Sequence, residues 1–214
     1  MEQKQLWDLI WENGGKGSVN SFARRSFLKI KNKPFKTLLD LGCGIGVDSL
    51  YFAQKGIDVT AVDFSDSGIK HLNKVIEKNN IKNIHTIQKD IQNLGFPPNS
   101  FDVIYTYLSL HYFNDKSTSR IFDDLFEILK VHGLFFIKCK AIDDPLYGQG
   151  EKVEENMYIR DGHVRHFFSE QYMKEKLHKF DIVKIRKTSS THHGYKSSFI
   201  EAVATKRKES MLGP

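Results

Sequence analysis

Short apolar runs alternate along the chain with segments whose apolar residues recur at three- and four-residue steps, the pattern of βαβ units wound around a parallel sheet. TLLDL (37–41) reads as a first strand entering a glycine cluster. A helix over 47–55 turns Leu50, Phe52 and Ala53 inward and stops at Gly56, and DVTAVD (58–63) reads as the second strand. Ser65, Asp66 and Ser67 are N-cap candidates for a helix carrying Ile69, Leu72, Val75 and Ile76 on one face, ended by Asn79 and Asn80. Strands are predicted at 85–90, 101–108 and 134–139, with a helix over 119–130 before the last of these.

The rhythm breaks over 140–168, where Pro145, Gly148, Gly150 and Gly162 interrupt both periods and an irregular excursion is expected. A helix over 169–180, capped by Ser169, leads to strands at 181–188 and 198–205. The stretch joining them, with His192, His193 and Gly194, is too short for a crossover, so this pair is predicted to be antiparallel. At the front, Leu6, Trp7, Ile10 and Trp11 share a helical face, followed by Gly14, Gly15 and Gly17 and a second helix with Phe22 and Phe27. One domain is expected over 1–214: a helical cap (1–36), a core (37–139), an insertion (140–168), and a last helix with a strand pair (169–205).

Composition narrows the class without changing this layout. At 214 residues, 40% hydrophobic and 27% charged, the chain is long enough for one packed domain and too apolar for disorder. No apolar run approaches the ~18 residues of a spanning helix. MEQKQLWDLIWE lacks the layout of a secretion signal, so a cytoplasmic protein with no membrane partner is expected. Cys43 and Cys139 show no ligand spacing, so neither a metal site nor a disulfide is predicted. The 32 basic and 26 acidic residues leave a net +6, which fits a solvated surface or an anionic partner. The excess gathers at Lys29, Lys31, Lys33 and Lys36, and again at Lys184, Arg186, Lys187, Lys206, Arg207 and Lys208.

The most informative stretch is LLDLGCGIG (38–46), a buried strand running into Gly42, Gly44 and Gly46. Such a loop lets a ligand lie against the backbone, and its N–H groups with the next helix N-terminus favour anionic groups. The spacing departs from G-x-G-x-x-G, which demotes a nicotinamide dinucleotide. Asp63 and Asp90, at the ends of the next two strands, would converge on the same crevice. A carboxylate at Asp63 suits a ribose diol and one at Asp90 an exocyclic amine, a nucleoside pattern; each also reads as a plain helix cap.

LLDLGCGIG, VTAVDFS, QKDI, FDVIYTYLSLHY and LKVHGLFFI stand in the order seen in class I S-adenosylmethionine-dependent methyltransferases, which residues 36–139 resemble. The likeness is to the small-molecule branch, similar to thiol and tellurite-resistance methyltransferases. It implies a doubly wound α/β fold with a seven-stranded sheet of order 3-2-1-4-5-7-6, strand 7 antiparallel. It also implies S-adenosyl-L-methionine as cofactor. The implied cofactor contacts are Asp40, Gly42, Cys43, Gly44 and Gly46, then Asp63, Phe64 and Ser65, then Asp90 and Ile91, with Tyr107 near the sulfonium. Val131, His132 and Gly133 stand where the family often has Pro-Gly-Gly, a departure away from the pocket.

Methyl transfer from a sulfonium needs alignment more than a base, although a neutral hydroxyl acceptor requires one. His111, four residues after Tyr107, is the base candidate; packing against the cofactor is its other reading. The insertion supplies Tyr147, His163, Arg165 and His166, which with Trp11 form the expected acceptor side of a water-excluding lid. Trp11 or Arg24 also stands to reach the methionine carboxylate. The expected acceptor is a small molecule, met by a monomer or homodimer. A nucleic-acid methyltransferase and a catalytically silent cofactor-binding protein are the alternatives.

Overall fold

The computed structural model describes residues 3–13, 17–192 and 195–207. Gly14, Gly15, His193, Gly194 and Lys208 lie outside them. In chain order the elements are α1 (Gln3–Glu12), α2 (Ser21–Ile30), β1 (Thr37–Leu41), α3 (Val47–Gln54), β2 (Asp58–Asp63), α4 (Asp66–Lys78), β3 (Ile84–Gln88), β4 (Phe101–Tyr107), α5 (Asp115–Ile128) and β5 (Leu129–Lys140). Then come β6 (Glu151–Glu154), β7 (Met157–Arg160), β8 (His163–His166), α6 (Glu170–Lys176), β9 (Asp181–His192) and β10 (Tyr195–Thr205). A seven-stranded sheet runs β3-β2-β1-β4-β5-β10-β9, parallel except for β10, which is antiparallel to both neighbours. With the insertion's three strands set aside, this is the expected topology.

Both faces of the sheet are covered, because successive strand residues point to opposite sides. Leu39, Ile104 and Phe135 join a core beneath α5 and α6, while their neighbours Leu38, Tyr105 and Phe136 join a second core beneath α2, α3 and α4. Helix starts follow the capping residues: Asn20, Ser65, Asn114 and Ser169 each accept a hydrogen bond from the N–H three residues on. Asn114 starts α5 four residues earlier than the apolar spacing suggested.

Residues 140–168 are less irregular than expected. They hold a separate antiparallel sheet, β6-β7-β8. Asp161 and Gly162, both at positive φ, make the two-residue turn that pairs Arg160 with His163. The insertion leaves and rejoins the body at one place, where Phe168 N–H donates to Lys140 and Ile142 N–H to Phe168.

One buried carboxylate ties α2 to the far side of the sheet. Glu201 on β10 accepts at both oxygens from one terminal nitrogen of Arg25 at 2.7 and 2.9 Å, from Arg186 of β9 at 2.7 and 3.0 Å, and lies 3.2 Å from Lys138 of β5. Burial works to raise the Glu201 pKa, but these three cations outweigh it and hold it below the usual range. Among the described residues no helix is long and apolar enough to cross a membrane.

Candidate active site

The tips of β1, β2 and β4 meet α1 around a cavity of about 610 Å³, within the range of small-molecule sites. The loop after β1 shapes its floor. Gly42 turns at φ 71°, and a Cβ there would stand 2.4 Å from that of Ser109, whose hydroxyl donates to Leu41 at 2.7 Å. Gly44, at φ 55°, lies under Trp11, whose ring is 2.8 Å from where a Cβ would be. Larger residues at these two positions would both strain the backbone and push away the wall.

The loop's N–H groups do not face outward to cradle an anion, as the glycine pattern suggested. Gly42 and Cys43 donate to the Val62 carbonyl at 2.8 and 3.1 Å, Gly46 to Cys43 at 2.9 Å, and Gly44 to Asp63 Oδ2 at 2.8 Å. The other oxygen of Asp63 accepts from Ser65 N–H at 2.8 Å. What the cavity presents is carboxylate: Asp40, Asp48, Asp63 and Asp90 line it, and among the described residues no lysine, arginine or histidine does. Burial raises the pKa of Asp63 against the backbone N–H groups of Ser65, Gly44 and Phe64 that oppose it. Asp40 is 3% exposed, and burial with the charges of Asp48 and Asp63 pushes it up to about 8 although Ser49 donates to it at 2.5 Å.

Asp48, which the sequence reading did not single out, stands at the start of α3. Its Oδ2 accepts from Tyr105 at 2.8 Å and from Asn20 at 2.5 Å, while Oδ1 is buried with no hydrogen-bond partner. Burial raises its pKa as well. Asn20 is also the cap of α2, so one side chain joins that helix to the cavity.

Of the expected cofactor contacts, Asp40, Gly42, Cys43, Asp63, Phe64, Asp90, Ile91 and Tyr107 line the cavity. Gly44, Gly46 and Ser65 sit behind its wall: Gly44 beneath Trp11, Gly46 against Leu72, and Ser65 as the cap of α4. Asp90 does not end β3, which stops at Gln88; its side chain accepts from Gln92 N–H at 2.9 Å and caps a short 3-10 turn.

Trp11 lines the cavity together with Trp7, Tyr112 and Phe113. Trp7 stacks on Trp11 at 5.4 Å and meets Tyr112 and His163 edge-on, each at 5.7 Å. These aromatics were legible only as a helix face, because nothing in the sequence says what that face covers. No residue of α1 is buried. Polar contacts hold it instead: Asp8 accepts from Ser65 Oγ at 2.6 Å and Ser67 N–H at 3.2 Å, and Gln3 from Val164 N–H at 3.3 Å.

His111 is 1% exposed, one residue behind the cavity wall, its ring 4.4 Å from that of Tyr112 and its Nδ1 without a partner. Burial, then the charges of Lys140 and Arg165, hold its pKa well below the usual value. His163 and Arg165 form the next layer out on β8. Arg165 is half-buried and has no ion-pair partner among the described residues. His166 is turned away, its Nδ1 3.1 Å from the Phe113 carbonyl, and Tyr147 donates to Asn156 at 2.8 Å within the insertion. Among the described residues no three His, Cys, Asp or Glu side chains converge to hold a metal.

Residues 38–133 match a family model described as methyltransferase domain. Over 108 residues the chain is 35% identical to the probable S-adenosyl-L-methionine-dependent methyltransferase TehB of Haemophilus influenzae, covering 50% of this chain and 37% of that protein. The chain thus spans little more than a third of that relative's length. The crystal structure of TehB from the same organism superposes with a TM-score of 0.72 at 23% identity, over 94% of this chain and 66% of that one. The Burkholderia thailandensis 1,6-didemethyltoxoflavin-N1-methyltransferase, solved with 1,6-didemethyltoxoflavin and S-adenosylhomocysteine, gives 0.77 at 17% identity, over 96% and 87%. The two structures establish the fold. Residues 38–133 are thus similar in sequence to a methyltransferase domain, in a chain whose fold is that of the solved methyltransferases.

Proposed function

We propose that this chain transfers a methyl group from S-adenosylmethionine to a small-molecule acceptor in the cavity beneath α1. The observation that carries the reading is the sign of the cavity's charge. Four aspartates, with no basic residue lining the cavity among the described residues, repel a phosphate and suit a cation, and the cofactor brings both an ammonium and a sulfonium. When bound, it supplies a methyl group on a positively charged sulfur, which an acceptor lone pair takes while S-adenosylhomocysteine leaves.

Asp40 and Asp48, with Gly42, Cys43 and Gly44, hold the methionine end. Asp63 uses one lone pair of each oxygen on the backbone, which leaves the others for a ribose diol. Phe64, Asp90 and Ile91 enclose the base, with Ser65 and Gly46 fixing the loops behind them. Tyr107 stands at the end of β4 toward the reacting group. Trp7 and Trp11 exclude water, and a helix with no buried residue of its own, held by surface polar and aromatic contacts, is suited to open and close. His111, kept neutral by burial, has a free nitrogen for an acceptor proton. Arg165 and His163 put positive or neutral donors beside it, which favours an anionic acceptor. The similarity to TehB and to the toxoflavin methyltransferase supports the small-molecule reading.

A screen of thiols, amines, phenols, carboxylates, halides and oxyanions for formation of S-adenosylhomocysteine tests the activity directly, with purified RNA as a further acceptor. Turnover on a small molecule is expected; turnover on RNA alone, or none with any acceptor, contradicts the reading. Because Asp40 must lose its proton to face a cation, and its pKa is about 8, affinity for S-adenosylmethionine should rise from about pH 6 to about pH 8. Asp48→Asn should weaken S-adenosylhomocysteine binding by about tenfold or more, the scale of one charge-assisted hydrogen bond. Calorimetry at several pH values checks both, and a flat profile with equal affinities contradicts them. With an acceptor whose proton must be removed, His111→Ala should lower kcat by about a hundredfold or more and leave S-adenosylhomocysteine affinity nearly unchanged; an unaltered kcat removes His111 from the chemistry.

A further inference from the structure

The two basic runs of the sequence play no part in the cavity described above, yet the fold brings Lys29 of the first, with Arg25 beside it, together with Lys184 and Arg186 of the second. Lys29 lies on α2 one turn from Arg25, and Lys184 and Arg186 alternate on β9, so that both point to the same side of the sheet. β9 is the edge strand, and α2 packs over its neighbours. Between them is a second cavity of about 250 Å³, where Arg25, Lys29, Lys184 and Arg186 surround a single acid, Glu201. Phe22, Phe136 and Val203 form its apolar wall.

The charges do not cancel. Glu201 is 4% exposed and lies at the base, already engaged by Arg25, Arg186 and Lys138. Arg25 and Arg186 keep over a third of their side-chain surface open, at 39% and 38%. Lys29 and Lys184 are exposed, and neither forms an ion pair among the described residues. Four cations around one acid leave a formal excess of three positive charges. An independent feature marks the same place. Ser26, which also lines the cavity, is 2% exposed, and its hydroxyl has no hydrogen-bond partner. A buried hydroxyl left unpaired is costly unless a ligand satisfies it.

We infer that this cavity binds a phosphate group, held by the open faces of Arg25 and Arg186 and by Lys29 and Lys184, with the Ser26 hydroxyl donating from below. Guanidinium groups match phosphate oxygens in geometry as well as charge. The apolar wall accommodates a small organic part next to the phosphate. The site is separate from the methyl-transfer cavity: Phe22 stands between them, its ring 6.3 Å from that of Tyr107.

The test uses the full chain at low salt, with pyrophosphate as one probe and a short single-stranded RNA as the other, read by calorimetry and fluorescence anisotropy. Lys29→Glu with Lys184→Glu changes only exposed side chains, and Ser26→Ala removes the unpaired hydroxyl. Saturable pyrophosphate binding is expected, weakened about tenfold or more by the double variant and severalfold by Ser26→Ala, and falling with added salt. S-adenosylhomocysteine affinity should stay unchanged in both variants, Tm should stay unchanged in the double variant, and Ser26→Ala should not lower it. Binding of RNA but not pyrophosphate, lost in the double variant, also supports the site and identifies a nucleic-acid backbone as the source of the phosphate. If neither probe binds, or if the double variant binds both as the parent does, the inference is overturned.

Discussion

The end of β2 serves as the anchor for the loop that follows β1. Gly42 and Cys43 both donate to the Val62 carbonyl, and Gly44 reaches the Asp63 carboxylate. These contacts turn the loop's donors inward, toward protein, and fix the spacing between two neighbouring strand tips. They require left-handed backbone at Gly42 and Gly44, which glycine adopts at little cost. Everything the cavity can recognise follows from that orientation. With the amides of Gly42, Cys43, Gly44 and Gly46 bonded within the protein, the cavity meets a ligand with acids, where the same glycines with free amides would have built an anion cradle.

The molecule treats its buried acids in two ways, and the contrast separates scaffold from site. Glu201 is surrounded by Arg25, Arg186 and Lys138 and is held in its charged form. Asp40 and Asp63 are buried too and Asp48 is half-buried, but hydroxyls, an amide side chain and backbone N–H groups are their partners, and all three are shifted toward the neutral form. A raised carboxylate pKa costs folding stability as pH climbs above the unfolded value, since the unfolded chain has by then released a proton that the folded one retains. A cationic ligand offsets that cost. Perturbed acids gathered in a cleft are more often functional than structural for this reason.

The central sheet was legible because its strands carry short runs of Leu, Ile, Val and Phe, and because helices follow β1, β2 and β4. The insertion was not, although Asp161-Gly162 between MYIR and HVRH is a strong hairpin signal; glycines at 148 and 150 drew attention to irregularity and away from the turn. In the site, residues tied to the strand tips could be placed in advance. Asp48 and Asn20 could not, since each looks like an ordinary helix-start residue and only the fold reveals that they touch each other and Tyr105. Trp7, Tyr112 and Phe113 were hidden for a similar reason, as they come from elements far apart in sequence.

A crystal structure of the chain with S-adenosylhomocysteine tests the central claim most directly, that acids at and just beyond the strand tips and the rings of α1 enclose the adenosyl cofactor. The account predicts the ligand beneath Trp11, with its amino-acid end toward Asp40 and Asp48 and its ribose against Asp63. Density on any other surface, or the reverse orientation with the ribose at Asp48, would contradict it.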